Sequence, residues 1–129
     1  MAGERVLVVD DDESIRQIVT IFLTDEGYDV ASVANGQVAL DMVYEYQPHI
    51  ILLDLRMPVM DGWQFVRCYR ASTGPHAPII AFVAALHAEE ERDEIGAAGL
   101  LAKPFDLEDL LSAVEDAKRS AHTELQAKT

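Results

Sequence analysis

The stretch His49–Gly62, HIILLDLRMPVMDG, constrains this chain more than any other. Ile50–Leu53 is a continuous apolar run, far shorter than a membrane span, and reads as a strand buried on both faces. Such a strand needs one covering layer above and another below, the setting of a parallel sheet. The run stops at a carboxylate, Asp54. Leu55-Arg56-Met57-Pro58 and Met60-Asp61-Gly62 then carry turn and breaker chemistry, so the chain leaves the sheet there. Open α/β sheets bind ligands at the carboxyl ends of their strands. A lone acid in that place more often caps the following loop, so the rest of the chain must decide what Asp54 does.

The segments around it alternate. Arg5–Val9 is a short β-branched strand ended by Asp10-Asp11-Asp12-Glu13. Asp12 or Ser14 can cap a helix bearing Ile15, Ile18, Val19, Phe22 and Leu23 at helical spacing, which Gly27 stops. Tyr28–Val33 reads as a partly polar, edge-like strand. Asn35 caps a second helix with Val38, Ala39, Met42, Val43 and Tyr46 on one face, and Pro48 closes it. After the Asp54 loop comes a less regular helix carrying Trp63 and Val66, ended by Ser72-Thr73-Gly74-Pro75. Pro78–Val83 is a fourth strand. His87–Ala97 is helical in pattern but strongly polar. Its block Glu89–Glu94 reads as a solvated face, with a docking surface for a basic partner as the alternative. Gly99–Ala102 is a fifth strand broken by Lys103-Pro104. Asp106 caps a last helix with the stripe Leu107, Leu110, Leu111 and Val114. From about Ser120 the sequence is polar and unpatterned and predicts a frayed tail.

Five strand–helix alternations with short connections imply a doubly wound, five-stranded parallel α/β sheet. The order 2-1-3-4-5 puts the polar second strand at an edge and the apolar third strand in the centre. It also makes the first and third strands neighbours at the topological switch point. At 129 residues the chain suits one domain. Its net charge of −13 argues against binding phosphate backbones or anionic membrane surfaces, and permits cations. The single cysteine, Cys68, cannot form an internal disulfide, and Met1–Glu4 has no secretory character, so the expected location is cytoplasmic.

In that topology Asp10, Asp11 and Asp54 meet at one sheet edge. Three carboxylates there repel one another unless something positive sits among them. Hard oxygen ligands with room for water suit Mg2+. Lys103, at the end of the fifth strand, supplies a second positive charge over the same edge. Taken singly, each residue has a plainer reading: helix-capping acids, a surface lysine, a loop proline. Together at the ends of strands one, three and five they are hard to dismiss.

Four motifs, VVDDDES at Val8–Ser14, LLDLRMPVMDG at Leu52–Gly62, Pro78-Ile79-Ile80 and AKPF at Ala102–Phe105, resemble the receiver domain of two-component response regulators, in its chemotaxis-regulator-like form. The resemblance runs from about Arg5 to Arg119. It implies a flavodoxin-like three-layer sandwich, with a receiver domain at residues 1–120 and a polar C-terminal tail at 121–129. It makes Asp54 the phosphoacceptor. Asp10, Asp11, Asp54 and the Arg56 backbone carbonyl become the Mg2+ site, with Asp10 acting mainly through water. Lys103 becomes the partner of the phosphoryl oxygens, and the Lys103–Pro104 bond is expected to be cis. The implied partners are a sensor histidine kinase or phosphotransfer protein as donor and a downstream protein as recipient. A homodimer is left open. Enzymatic activity would extend at most to slow autophosphatase turnover.

Two positions depart from the family pattern. Val83 stands where a Thr or Ser hydroxyl usually binds a phosphoryl oxygen. Leu100 stands where a Tyr or Phe usually swings inward. Both switch positions are therefore aliphatic, which makes a pseudo-receiver acting without phosphorylation one alternative. Another is a haloacid-dehalogenase-type phosphatase using Asp10, since Asp10-x-Asp12 follows an apolar strand, although it leaves DLRMPVMDG unexplained. His87 reads as a helix-start residue near the pocket mouth. Trp63 reads as helix packing close enough to the Asp54 loop for its fluorescence to sense a metal.

Overall fold

The computed structural model describes residues 3–84 and 88–127, with side chains to residue 119. Five strands alternate with five helices: β1 Arg5–Val9, α1 Glu13–Asp25, β2 Asp29–Val33, α2 Gly36–Tyr46, β3 Ile50–Asp54, α3 Gly62–Ala71, β4 Ile79–Ala84, α4 Ala88–Ile95, β5 Gly99–Lys103 and α5 Leu107–Ala127. All strand pairs are parallel, in the order β2-β1-β3-β4-β5. The expected doubly wound sheet and its order are therefore observed. His87 lies outside the described residues.

Every residue of β3 is buried, whereas β2 at the edge is largely open. Alternation along the strands divides the core in two. Leu7, Val9, Ile51, Leu53, Ala81 and Val83 face α2, α3 and α4 through Ala39, Val43, Phe65, Val66 and Ile95. Val6, Val8, Ile50, Leu52, Ile80 and Phe82 face α1 and α5 through Val19, Leu23, Leu110 and Val114. A one-residue slip of any central strand would exchange its two faces, so the register Val9↔Leu53 and Asp54↔Phe82 is strongly specified.

Local chemistry sets the helix ends. Asp12, not Ser14, is the α1 N-cap, accepting from the Ser14 and Ile15 amides. Asn35 caps α2 through the Val38 amide. The helix α3, expected to be irregular, starts on a full capping box: Asp61 accepts from the Gln64 amide at 2.9 Å and Gln64 accepts from the Asp61 amide at 3.0 Å. At the far end of the chain, α5 continues helical to Ala127 although a frayed tail was expected from about Ser120. The apolar stripe ends there, but Ala121, Glu124, Leu125, Gln126 and Ala127 are good helix formers and keep helix propensity high.

Candidate functional site

The carboxyl ends of β1, β3 and β5 converge, and each places one charged side chain. Asp10 follows β1 directly, and its amide donates to the Val33 carbonyl at 3.1 Å, continuing the ladder for one residue. Its side chain is completely buried. One carboxylate oxygen, Oδ1, accepts the Asp12 amide at 2.9 Å. The other, Oδ2, lies 2.8 Å from Lys103 Nζ but has no aligned hydrogen-bond donor. It thus makes a charge contact while keeping lone-pair capacity, which is unusual for a buried oxygen.

Asp54 ends β3 and is also buried. Its Oδ1 accepts the Arg56 amide at 3.2 Å, and its Oδ2 accepts from Lys103 Nζ at 3.3 Å. Burial first, and the neighbouring Asp10 charge second, push the Asp54 carboxyl up to about 6 against the opposing pull of Lys103. Burial alone would lower the Lys103 ammonium, but its close contacts with the Asp10 and Asp54 carboxylates win and hold it above its ordinary value. The ammonium also stands 5.9 Å over the Phe82 ring. Lys103 precedes Pro104 across a cis peptide bond, as expected.

Asp10, Asp11 and Asp54 each offer a carboxylate oxygen, and these oxygens all lie within 4.8 Å of one another. Asp11 is exposed and can accept a ligand without losing a protein partner. Asp12 belongs to the α1 cap. Of the three consecutive acids, the capping reading therefore fits Asp12 only. The set is hard, anionic and partly open, and Asp10 Oδ2 lacks a directed donor, so these residues fit a small divalent cation.

The loop after Asp54 is held from within. The Gly62 amide donates to the Leu55 carbonyl at 3.0 Å, and the Gly36 amide to the Met60 carbonyl at 3.1 Å. A Cβ on Gly62 would lie 2.7 Å from Leu55 Cα, so only glycine lets α3 start against the strand end. Val59 sits at the loop tip, 80 % exposed, with φ of 72°.

Val83 is buried in β4, and Leu100 packs against the same half of the core. Neither brings a hydroxyl or a ring to the strand ends. The acidic block on α4 is not simply solvated, contrary to expectation. Glu91 is buried and its Oε1 accepts from Arg56 Nη2 at 2.7 Å, while Glu94 Oε2 accepts the Trp63 indole N–H at 3.1 Å. Trp63 is more than helix packing, because the Arg56 guanidinium also stacks over its ring at 5.3 Å. Among the described residues, Arg56 and Glu91 are the pair that sequence reasoning missed. Glu91 and buried Ile95 are four residues apart on one helix face, a spacing that points Glu91 inward.

Residues 6–115 match the response regulator receiver domain family. The chain is 34 % identical over 116 residues to sporulation initiation phosphotransferase F of Bacillus subtilis, covering 89 % of this chain and 94 % of that one. It is 38 % identical over 113 residues to the DNA-binding response regulator MtrA of Mycobacterium tuberculosis H37Rv, covering 86 % of this chain but 49 % of that one. It thus spans about half the length of MtrA. The solved chemotaxis response regulator CheY4 of Vibrio cholerae superposes with a TM-score of 0.82 at 36 % identity, over 89 % of this chain and 98 % of that one. No helix among the described residues is long and apolar enough to cross a membrane. On these grounds, the chain belongs to the response regulator receiver domain family.

Proposed function

We propose that this receiver domain accepts a phosphoryl group on Asp54 from a phosphohistidine of a sensor kinase or phosphotransfer protein, and that it signals through protein contacts. The observation that carries the reading is the convergence of Asp10, Asp11 and Asp54 with Lys103 at the ends of β1, β3 and β5. In the transfer, an Asp54 carboxylate oxygen forms a bond to phosphorus as the phosphorus–nitrogen bond breaks, and the imidazole leaves with the bonding pair. A metaphosphate-like transition state asks for alignment and charge neutralisation rather than covalent help. The Arg56 amide on one Asp54 oxygen fixes the carboxylate plane. The Lys103 ammonium, 2.8 Å from Asp10 and 3.3 Å from Asp54, would pair with phosphoryl oxygens. Asp10, Asp11, Asp54 and the Arg56 carbonyl would hold Mg2+, which supplies charge neutralisation at the transferring group. Water in place of the donor would give slow autophosphatase turnover.

A phosphatase using Asp10 has less support, because Asp10 is fully enclosed with one oxygen committed to the Asp12 amide. A pseudo-receiver has less support because the mutually repelling acids and Lys103 are all kept together. The test is incubation with Mg2+ and a small acyl phosphate, followed by intact mass measurement. Wild type gains one phosphoryl group and Asp54→Ala gains none. Incorporation that survives Asp54→Ala contradicts the proposal.

A further inference from the structure

The state of the Asp54 site has to reach the protein surface, and the hydroxyl and ring that usually carry it are replaced by Val83 and Leu100. A different connection leaves the same loop. Arg56, whose amide is bonded to Asp54, sends its guanidinium to Glu91 in the middle of α4. The two ends of this ion pair are unequal. The Arg56 side chain is 66 % exposed, whereas that of Glu91 is 8 % exposed. Glu91 Oε2 has no hydrogen-bond partner among the described residues. The arginine can therefore exchange its partner for water or another anion at little cost in solvation. The glutamate cannot: without Arg56 it is a buried carboxylate with nothing to balance it. The helix bearing it has one other buried residue, Ile95, and its remaining ties are the Trp63–Glu94 hydrogen bond and, at its C-terminal end, the Arg70 guanidinium, which donates to the Ile95 and Gly96 carbonyls.

We propose that the Arg56–Glu91 ion pair is a latch between the Asp54 loop and α4, opened when the Arg56 guanidinium leaves Glu91 for phosphoryl oxygens on Asp54. This rests on Asp54 being the phosphoacceptor. Phosphorylation places a strong multivalent acceptor two residues from Arg56, and a planar guanidinium matches it better than a single carboxylate oxygen does. The stranded Glu91 then moves to water and carries α4 away from the sheet. Trp63 reports the event, because its ring lies under Arg56 and its N–H is bonded to Glu94 on the same helix. Arg56 thereby acts as a phosphoryl-binding side chain in place of the missing hydroxyl.

The test measures amide hydrogen exchange across Ala88–Ile95 and Trp63 fluorescence, with phosphoryl content read by intact mass in the same samples. In wild type, phosphorylation accelerates exchange in α4 by about tenfold or more and shifts the Trp63 emission. Glu91→Leu, which leaves no charge to strand, takes up the phosphoryl group as wild type does, while its α4 exchange changes less than about twofold. The near-isosteric Glu91→Gln responds in the same direction. Arg56→Met exchanges fast in α4 before any phosphoryl donor is added, and combining it with Glu91→Leu restores slow exchange. Equal responses in wild type and Glu91→Leu, or an Arg56→Met helix as protected as wild type, overturn the latch alone. Absence of phosphoryl from wild-type Asp54 overturns the phosphoacceptor reading and the latch with it.

Discussion

Lys103 and Asp10 form an ion pair of 2.8 Å in which the carboxylate is wholly enclosed and the ammonium is not. Lys103 stands 3.3 Å from Asp54, so its shorter contact is with the acid that is not expected to react. Asp10 thus anchors the lysine and sets where its charge lies relative to Asp54.

Removing that charge should therefore affect stability as well as phosphotransfer. Lys103→Met leaves Asp10 buried and unpaired, which should cost about 3 kcal/mol in urea unfolding. Adding Asp10→Asn should recover part of the loss, since no charge is then stranded. A Lys103→Met protein as stable as wild type would show that Asp10 is neutralised in another way.

The raised Asp54 carboxyl gives a pH dependence of defined sign. Its native value of about 6 exceeds its ordinary value of 3.8, so the folded state holds the proton more tightly than the unfolded chain. This residue's contribution to stability is greatest below pH 3.8 and is lost as pH rises through about 6. The loss amounts to about 2 kcal/mol once solvent screening is allowed for. In chelator-treated protein, Asp54→Asn should become more stable relative to wild type as pH rises across that window. A constant difference between the two proteins would contradict the assignment.

Val59 is a β-branched residue with φ of 72° at an exposed loop tip, a conformation that glycine adopts without strain. Because its side chain is 80 % exposed, truncation loses little packing. Val59→Gly should stabilise the fold by roughly 0.5–1 kcal/mol, after the entropic cost of glycine, and raise the unfolding midpoint. A lowered midpoint would show that the Val59 side chain contributes contacts outweighing its strain.

Gly62 is where α3 begins against the end of β3. An alanine Cβ would come within 2.9 Å of the Asp54 carbonyl oxygen and closer still to Leu55. Gly62→Ala should cost about 1–3 kcal/mol and slow phosphoryl incorporation by tenfold or more, because displacing the loop misaligns the Asp54 carboxylate. Unchanged incorporation kinetics would show that the loop absorbs the methyl group without moving Asp54.

The sheet was legible because two periodicities agreed. The unbroken apolar run of β3 demanded cover on both faces, and the helices supplied apolar stripes for it. The acid cluster was legible because strand ends can be ordered once topology is known. What escaped was tertiary in origin. Asp61 read as a turn residue beside Gly62, and its capping box with Gln64 went unread. Glu91 lay inside a run of six charged residues, Glu89–Glu94, where only its distance from Ile95 set it apart. That its carboxylate meets Arg56, 35 residues earlier, depends on how α4 lies across β4 and β5.

The central claim is that Asp54, and not Asp10 or Asp11, receives the phosphoryl group, and chemical trapping tests it most directly. Borohydride reduces an acyl phosphate to an alcohol, converting a phosphorylated aspartate to homoserine. After incubation with Mg2+ and a small acyl phosphate, reduction and peptide mapping should find homoserine at position 54 and nowhere else. Homoserine at position 10, or none under conditions where a phosphohistidine donor is consumed, would contradict the account.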